Sequence, residues 1–450
     1  MSHHATTEEL FDVYQRAGHR VATDSRKVQS GDLFFALKGE RFNGHDFVQQ
    51  ALEVGVTAVV VDQEVEGVDP ARCLRVNDVL TALQALAQQY RKSIGGLTVI
   101  GITGSNGKTT TKELVHAVLS THYRCYATPG NLNNAIGVPL TLLGMLRDTE
   151  FCVVEMGANH PGEVMPLCVM ADPDVGVVTA IGKEHLEGFG SLQAIIDTET
   201  ELYAYLGQRN RQAFTPMEVP ELMEAARIHC VAPAPIYYGS SAEADCVGRL
   251  LPGDWAVRLQ WENSYRLMLR APQLETQLFG AYNFNNIMAA ACLGRYFSVP
   301  YQKINQALTN YVPSMNRSQL LCKGDRKIIL DAYNANPHSM QLAVAGLAAL
   351  TNVKRVALLG DMMELGAAAD EEHEALLQQL KSVELEAACL CGPLFMKHKE
   401  AFPGFDFYQN VGALLESGRL RGLSTHCAVL VKGSRSMGME RCLEGMGVEL

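Results

Sequence analysis

The segment TVIGITGSNGKTTT, residues 98–111, constrains the fold more than any other stretch of the chain. An apolar, β-type run (Val99, Ile100, Gly101, Ile102) ends in glycine. Gly107-Lys108-Thr109 then lead directly into a helical pattern carried by Leu114, Val115, Val118 and Leu119. A strand, a glycine-rich turn and a helix with Lys-Thr in its first turn together aim backbone N–H groups at an anion. The lysine adds a fixed positive charge, and the threonine hydroxyl suits Mg²⁺. The sequence therefore predicts a phosphate-binding loop inside an α/β domain. The loop is a variant, because the strict motif has glycine six residues before the lysine, where Ile102 stands between Gly101 and Gly104.

At 450 residues the chain exceeds one domain, and length favours about three. The patterning predicts a small α/β unit over 1–95, a central parallel sheet over 96–312 and a Rossmann-like α/β unit over 313–450. In the first, Leu33–Leu37 and Ala58–Val61 read as strands, and Leu80, Leu83, Leu86, Ala87 and Tyr90 mark one helix face. In the second, Phe151–Met156 and Val175–Ile181 are continuous apolar runs, as parallel strands covered on both faces should be. Ile236–Tyr238, Ala256–Gln260 and Tyr265–Leu269 have polar interruptions and read as an appended antiparallel patch. In the third, strands at 327–332, 356–360, 387–391 and 428–432 alternate with helices at 340–350 and 370–381. None of their turns carries GxGxxG, so a dinucleotide is not indicated.

The chain has 49 acidic and 38 basic residues, a balance that argues against nucleic acid as a partner. It does not argue against nucleotides, since a few local cations overcome the global field. No long apolar run predicts membrane insertion, and the N-terminus lacks a signal-peptide core. Twelve cysteines without a CxxC pair point to reduced, mostly buried thiols in a cytoplasmic protein. A monomer is the expectation.

Several segments offer chemistry. Glu155 ends a strand in VVEMGANHPGE, where a metal-binding acid of a phosphate-loop domain belongs, although a strand-end acid can simply meet water. His185 sits in a glycine-broken loop with Lys183, Glu184 and Glu187. Asn131, Asn133 and Asn134 suit a polar substrate or an Asn-rich capping turn. Asp331, followed by Asn334 and Asn336 in DAYNANP, suits ribose hydroxyls and amide or purine edges, with an Asn-Pro turn as the alternative. Ser25 and Arg26, with Lys38 and Arg41, could take an anion or form a solvated loop. Lys432 and Arg435 in VKGSRSM could contact phosphate or carboxylate, or be surface charge.

Taken together, these segments resemble the Mur ligases of bacterial cell-wall synthesis over nearly the whole chain. The resemblance rests on TDSRKVQSGDLFFALKG and FNGHDF in the first unit. It continues in GITGSNGKTTTKE, PGNLNNAIGVPLTLL, VEMGANHPGE and HLEGFGS in the second, and in DAYNANPHSM, LLGDMMELG and VKGSRSMGM in the third. YNANP with GDMMELG points to the branch that adds D-alanyl-D-alanine, and the DNPR of the diamino-acid-adding branch is missing. The resemblance implies three domains, binding a UDP-sugar, binding ATP, and closing over the site. It implies ATP and Mg²⁺ as cofactors, with UDP-N-acetylmuramoyl-tripeptide and D-alanyl-D-alanine as partners. Gly104, Ser105, Asn106, Gly107, Lys108, Thr109 and Thr110 would hold phosphates. Thr109, Glu155 and His185 would hold Mg²⁺, and Asn283 and Asn286 would lie near adenine. Arg317 would reach the ATP phosphates and Asp331 the ribose. Ser25 and Arg26 would contact the uridine diphosphate, and Asn133, Asn134, Asn334 and Asn336 the rest of the substrate.

The chain departs from the family pattern in three places. Where relatives carry a carbamylated lysine, fourteen residues after the HLE histidine, it has Glu199. The charge is the same, but the side chain is shorter by roughly 3–4 Å. Glu199 is expected to take over the Mg²⁺ role, through water or local backbone movement; a weakened second metal site is the competing expectation. The Asn-Ala-Asp-Asp stretch is missing near Gln212–Pro216, and Tyr282 replaces a common histidine near adenine. The remaining rivals are a folylpolyglutamate synthase-like ligase, a degenerate homologue that binds without turnover, and a nucleotide switch, for which no NKxD is present.

Overall fold

The structure is a computed structural model that describes residues 4–39, 42–263 and 273–448. Arg41 and the expected strand Tyr265–Leu269 lie outside the described residues. The chain forms two compact units. Met1–Ile102, Tyr123–Gly157 and Val164–Val175 make the first; Thr103–His122, Ala158–Glu163 and Gly176–Leu450 make the second.

In the first unit, Val21–Ala22, Leu33–Phe35, Ala58–Val61 and Cys73–Arg75 pair in that order, all in parallel. Leu33–Phe35 and Ala58–Val61 are buried at every position, the pattern of strands covered on both sides. The helix Val79–Ser93 is capped by Asp78, whose carboxylate accepts from Thr81 N–H at 2.6 Å. Its buried face holds Leu83, Leu86, Ala87 and Tyr90 as the spacing predicts, while Leu80 at its edge is only partly buried. The Tyr14 and Tyr90 hydroxyls donate to the carbonyls of Leu143 (2.6 Å) and Met145 (2.7 Å), which ties the N-terminal helices to the helix Gly137–Leu143. In the same unit, Phe151–Glu155 runs parallel between Cys125–Ala127 and the strand that enters the phosphate loop.

In the second unit, Gln212–Pro216, Ile236–Gly239 and Cys246–Leu251 pair in parallel, and Arg258–Asn263 and Leu274–Glu275 continue antiparallel. This corrects the antiparallel reading of Ile236–Tyr238, which has parallel neighbours on both sides. Tyr238 is fully buried and belongs to the core, while Tyr237 is partly exposed.

The C-terminal sheet has the order Gln319–Lys323, Arg326–Asp331, Cys427–Lys432, Lys354–Gly360, Ala387–Cys391, Asp406–Tyr408. Only the first strand is antiparallel, joined to the second as a hairpin. Alternate residues serve opposite faces. Ile328, Leu330, Leu358, Val429 and Val431 pack in one core, and Ile329, Ala357, Leu359, Ala428 and Leu430 in the other. Helices Pro337–Ala348 and Ala369–Lys381 cover the second of these faces. The parallel strands therefore present their carboxyl ends, at Asp331, Gly360 and Lys432, along one edge, which is where an open α/β sheet binds ligands.

That edge is braced by a buried carboxylate. Asp361 accepts from Leu394 N–H (2.8 Å) and Phe395 N–H (2.9 Å), which joins the ends of two neighbouring strands. Gly392 allows the approach: it has φ 130°, and a Cβ there would lie 2.2 Å from the Asp361 carboxyl carbon. Gly392→Ala is expected to lower stability by about 2–4 kcal/mol through backbone strain and overpacking. Gly404→Ala, which meets nothing within 4 Å, should stay within about 0.5 kcal/mol. Urea unfolding midpoints of the two variants check both expectations.

Candidate active site

In the second unit the phosphate loop turns into the helix Lys108–Ser120 through Gly107, whose φ of 82° is left-handed. A Cβ on Gly107 would lie 2.4 Å from Asn286 Oδ1, so only glycine fits against that side chain. Asn286 is held in turn. Its Nδ2 donates to Asn283 Oδ1 (3.0 Å), its Oδ1 accepts from the Thr111 hydroxyl (3.1 Å), and Asn283 Nδ2 donates to the Phe279 carbonyl (2.8 Å). Asn283 and Asn286 are thus a buried brace behind the loop, a placement that spacing alone did not reveal. Thr109 and Thr110 are buried in the first helical turn.

The start of the loop rests on Glu199. This carboxylate is fully buried, and its Oε2 accepts from the Thr103 hydroxyl (2.5 Å) and from Gly104 N–H (2.7 Å). Beside it stands Glu184, 4 % exposed and 3.7 Å from Lys108 Nζ, which also donates to the Gly104 carbonyl. Glu184 Oε1 and Glu199 Oε1 are both buried with no hydrogen-bond donor. Burial lifts the Glu184 pKa well above the carboxylate range; Lys108 opposes that rise and the Glu199 charge adds to it. Two interacting buried carboxyls, each with an oxygen that no donor reaches, require a cation or a shared proton, so the donor set fits a divalent metal beside a phosphate. Among the described residues no three His, Cys, Asp or Glu side chains form a metal cluster. Mg²⁺ is usually held by few protein groups together with phosphates and water, which matches this arrangement.

The loop between Thr179 and Gly190 completes the rim. The Thr179 hydroxyl donates to the Asn106 carbonyl (2.6 Å), Ser105 N–H donates to the Ala180 carbonyl (2.9 Å), and Ser105 Oγ accepts from Gly182 N–H (3.0 Å). His185 Nδ1 lies 2.5 Å from Glu364 Oε2, and its Nε2 lies 3.9 Å from Glu184 Oε2. Burial lowers the His185 pKa, and Glu364 partly offsets that fall.

The carboxyl edge of the C-terminal sheet meets this rim. Asn336 caps the helix Pro337–Ala348 through Ser339 N–H and donates from Nδ2 to Asn106 Oδ1 (2.9 Å). Asp331 is engaged on both oxygens, Oδ1 by Ser318 N–H (3.0 Å) and Oδ2 by buried Lys432 Nζ (2.6 Å). Lys432 is therefore a counter-ion and not a surface charge. Arg317 stacks over the Tyr333 ring at 3.7 Å, and the Asn334 side chain is exposed. The Tyr282 hydroxyl is 3.1 Å from Ser318 Oγ, and burial raises its pKa. Sequence reasoning missed Glu364, although GDMMELG places it just past a strand end on the ligand-binding edge, which is the signal that could have found it.

In the first unit, Glu155 is 1 % exposed and accepts from Asn133 Nδ2 at 2.9 Å. Asn134 Oδ1 accepts from Ile136 N–H (3.1 Å) and Gly137 N–H (2.9 Å), so this side chain starts a helix. Ser25 is half-buried beside exposed Arg26, which grips Asp24 at 2.8 and 2.9 Å and holds that carboxyl at about 2. Lys38 pairs with Asp62 at 2.7 Å.

Three family models match this chain: the Mur ligase family catalytic domain over 18–91, the Mur ligase middle domain over 102–294, and the Mur ligase glutamate ligase domain over 316–435. The UDP-N-acetylmuramoyl-tripeptide–D-alanyl-D-alanine ligase of Bacillus subtilis is 33% identical over 443 residues, covering 95% of this chain and 93% of that protein. A crystal structure of MurF from Acinetobacter baumannii superposes with a TM-score of 0.85 at 29% identity, over 95% of this chain and 93% of the other. MurF ligase from Thermotoga maritima, solved in complex with ADP, gives 0.83 at 28% identity, over 97% and 98%.

The Glu184 environment predicts a pH dependence. Its pKa is raised on folding, so the unfolded chain releases this proton at lower pH than the folded one. Its stability contribution is complete below the ordinary carboxylate pKa and is lost as pH rises toward the elevated folded value. Glu184→Gln should therefore gain thermal stability over the parent protein, by more at pH 8 than at pH 5, in nucleotide-free calorimetric scans.

Proposed function

The chain belongs to the Mur ligase family, and from that premise we propose that it joins D-alanyl-D-alanine to UDP-N-acetylmuramoyl-tripeptide at the expense of ATP. The observation that carries the reading is Lys108 at the first turn of a helix behind a glycine-shaped loop, with buried Glu184 and Glu199 against it. That arrangement suits the polyphosphate of ATP, and the ADP bound by the Thermotoga maritima relative supports it.

Joining an amine to a carboxylate at neutral pH requires an activated carboxyl group. The terminal carboxylate of the tripeptide attacks the γ-phosphorus of ATP. A new O–P bond forms, the bond to the β-phosphate oxygen breaks, and ADP leaves. Lys108 and the loop N–H groups stabilise the charge on the transferring phosphoryl. The amine of D-alanyl-D-alanine then attacks the acyl phosphate, a tetrahedral intermediate collapses, phosphate departs and the nitrogen sheds a proton. Glu184 (3.7 Å from Lys108), Glu187 and water are the acceptors within this loop for that proton. The docked C-terminal edge, joined to the loop by Asn336 and Asn106, excludes water from the acyl phosphate.

Thr109, Glu155, His185 and Glu199 are the residues we assign to Mg²⁺, which when bound neutralises charge on the phosphates. Glu199 supports the loop through Oε2 and keeps Oε1 for this role, in place of the carbamylated lysine that relatives carry. Asn283, Asn286, Arg317 and Asp331 belong to the nucleotide side. Ser25, Arg26, Asn133, Asn134, Asn334 and Asn336 belong to the UDP-peptide side. Asn134 and Asn283 act through the backbone they hold. None of the twelve cysteines forms a disulfide, which suits the reducing cytoplasm. Among the described residues, no helix is long and apolar enough to cross a membrane.

ADP release should require both the UDP-muramoyl-tripeptide and D-alanyl-D-alanine, and L-alanyl-L-alanine should not replace the latter. Lys108→Ala should abolish product. ADP formed without either substrate, or equal product from the L,L-dipeptide, would overturn the assignment in a coupled assay. Because a glutamate carries the charge natively, removing dissolved CO₂ and bicarbonate should leave the rate unchanged, and Glu199→Ala should lower it by at least about 100-fold.

A further inference from the structure

His185 and Glu364 share an unusual property. Both are non-glycine residues in left-handed backbone, with φ of 44° and 63°, and they contact each other through Nδ1 and Oε2 at 2.5 Å. Such backbone persists only where the surroundings impose it, and it clusters at functional sites. The surroundings of Glu364 do impose it. Asp361 is fixed by Leu394 and Phe395 N–H. Met362 N–H donates to His373 Nε2 (3.1 Å), and Met363 N–H donates to Ser434 Oγ (2.8 Å). The Glu364 carbonyl accepts from Glu187 N–H (3.1 Å), two residues beyond His185. His373 is itself fixed, because its Nδ1 donates to the Ala369 carbonyl at 2.7 Å.

We propose that Glu364 is a positioning residue for the ligase reaction: it holds the His185 ring as the Nδ1–H tautomer, so that Nε2 is turned toward Glu184 and the phosphate loop. A carboxylate only accepts, so the ring nitrogen facing it carries the hydrogen. The opposite nitrogen is thereby left on the loop side, 3.9 Å from Glu184 Oε2. A carboxylate behind a histidine fixes tautomer and ring plane together, and its loss typically costs 10- to 100-fold in activity or metal affinity. Glu364 reaches His185 from the end of the strand Lys354–Gly360, so the tautomer is set only while that edge is docked. This ties the state of the histidine to the presence of the C-terminal edge. The proposal rests on the ligase reading above.

The test is nitrogen-15 NMR of the imidazoles in full-length protein, with His185 assigned from its missing signals in His185→Gln. In the parent protein Nδ1 should be protonated and Nε2 bare. Glu364→Gly keeps the left-handed turn and removes the carboxylate. It should move the hydrogen largely to Nε2 and lower kcat by about 10- to 100-fold with little change in KM for ATP. Glu364→Gln, whose amide oxygen accepts the same N–H more weakly, should keep the tautomer, shift the Nδ1 proton upfield and retain more kcat than the glycine variant. If the glycine variant fails to fold, the glutamine variant decides through its Nδ1 proton shift. Product from the parent protein with an unmoved tautomer in Glu364→Gly, or an unmoved Nδ1 proton in Glu364→Gln, overturns this proposal alone. Absence of product from the parent protein overturns the ligase reading and the catalytic part of this proposal with it.

Discussion

A fully buried carboxylate under the first residues of the phosphate loop is the constraint on which the rest of this site depends. Glu199 takes a hydroxyl and a backbone N–H from Thr103 and Gly104. A buried anion is tolerated only with such donors or a counter-charge, and its second oxygen has neither. The site is therefore built around an excess of negative charge, with Glu184 beside it and Lys108 as the nearest cation. That excess disfavours an empty site and favours whatever brings a cation in. Here the electrostatics of folding and of ligand binding oppose each other, as they commonly do where function takes precedence over stability.

The C-terminal sheet contributes through its carboxyl edge. Three neighbouring strands end at Asp331, Lys432 and Gly360, and the loops after them are cross-linked by side chains. Lys432 reaches Asp331 and the Asn334 carbonyl, Ser434 takes Met363 N–H, and Asp361 reaches across to Leu394 and Phe395. The edge behaves as one braced surface and not as separate loops. Asn336 and Glu364 meet the phosphate-loop side from this edge, and Glu372 adds an ion pair with Lys183.

Much of this was legible in the sequence. The phosphate loop, the helix face at Leu83–Tyr90 and the parallel strands at Phe151 and Val356 follow from period and punctuation, because local sequence alone sets them. What escaped was non-local. The parallel pairing of Ile236–Gly239 depends on which strands flank it, and a short aromatic run carries no mark of that. The brace formed by Asn283, Asn286 and Thr111 joins positions 175 residues apart. For Asn134 the sequence left substrate contact and a capping turn open, and the side chain caps the turn into a helix, while Lys432, read as an anion contact or surface charge, is buried against Asp331. Polar residues near a glycine have several uses, and only the fold selects among them.

The chain passes between its two compact units five times, at 102, 122, 157, 163 and 175. The strand that feeds the phosphate loop thus lies in one unit while the loop lies in the other. Neither unit is a continuous piece of the gene, so no single truncation can isolate a nucleotide-binding half. Only the stretch from Gly176 onward is entered once and never left, so an exchange of parts that respects both bodies has its one clean boundary there.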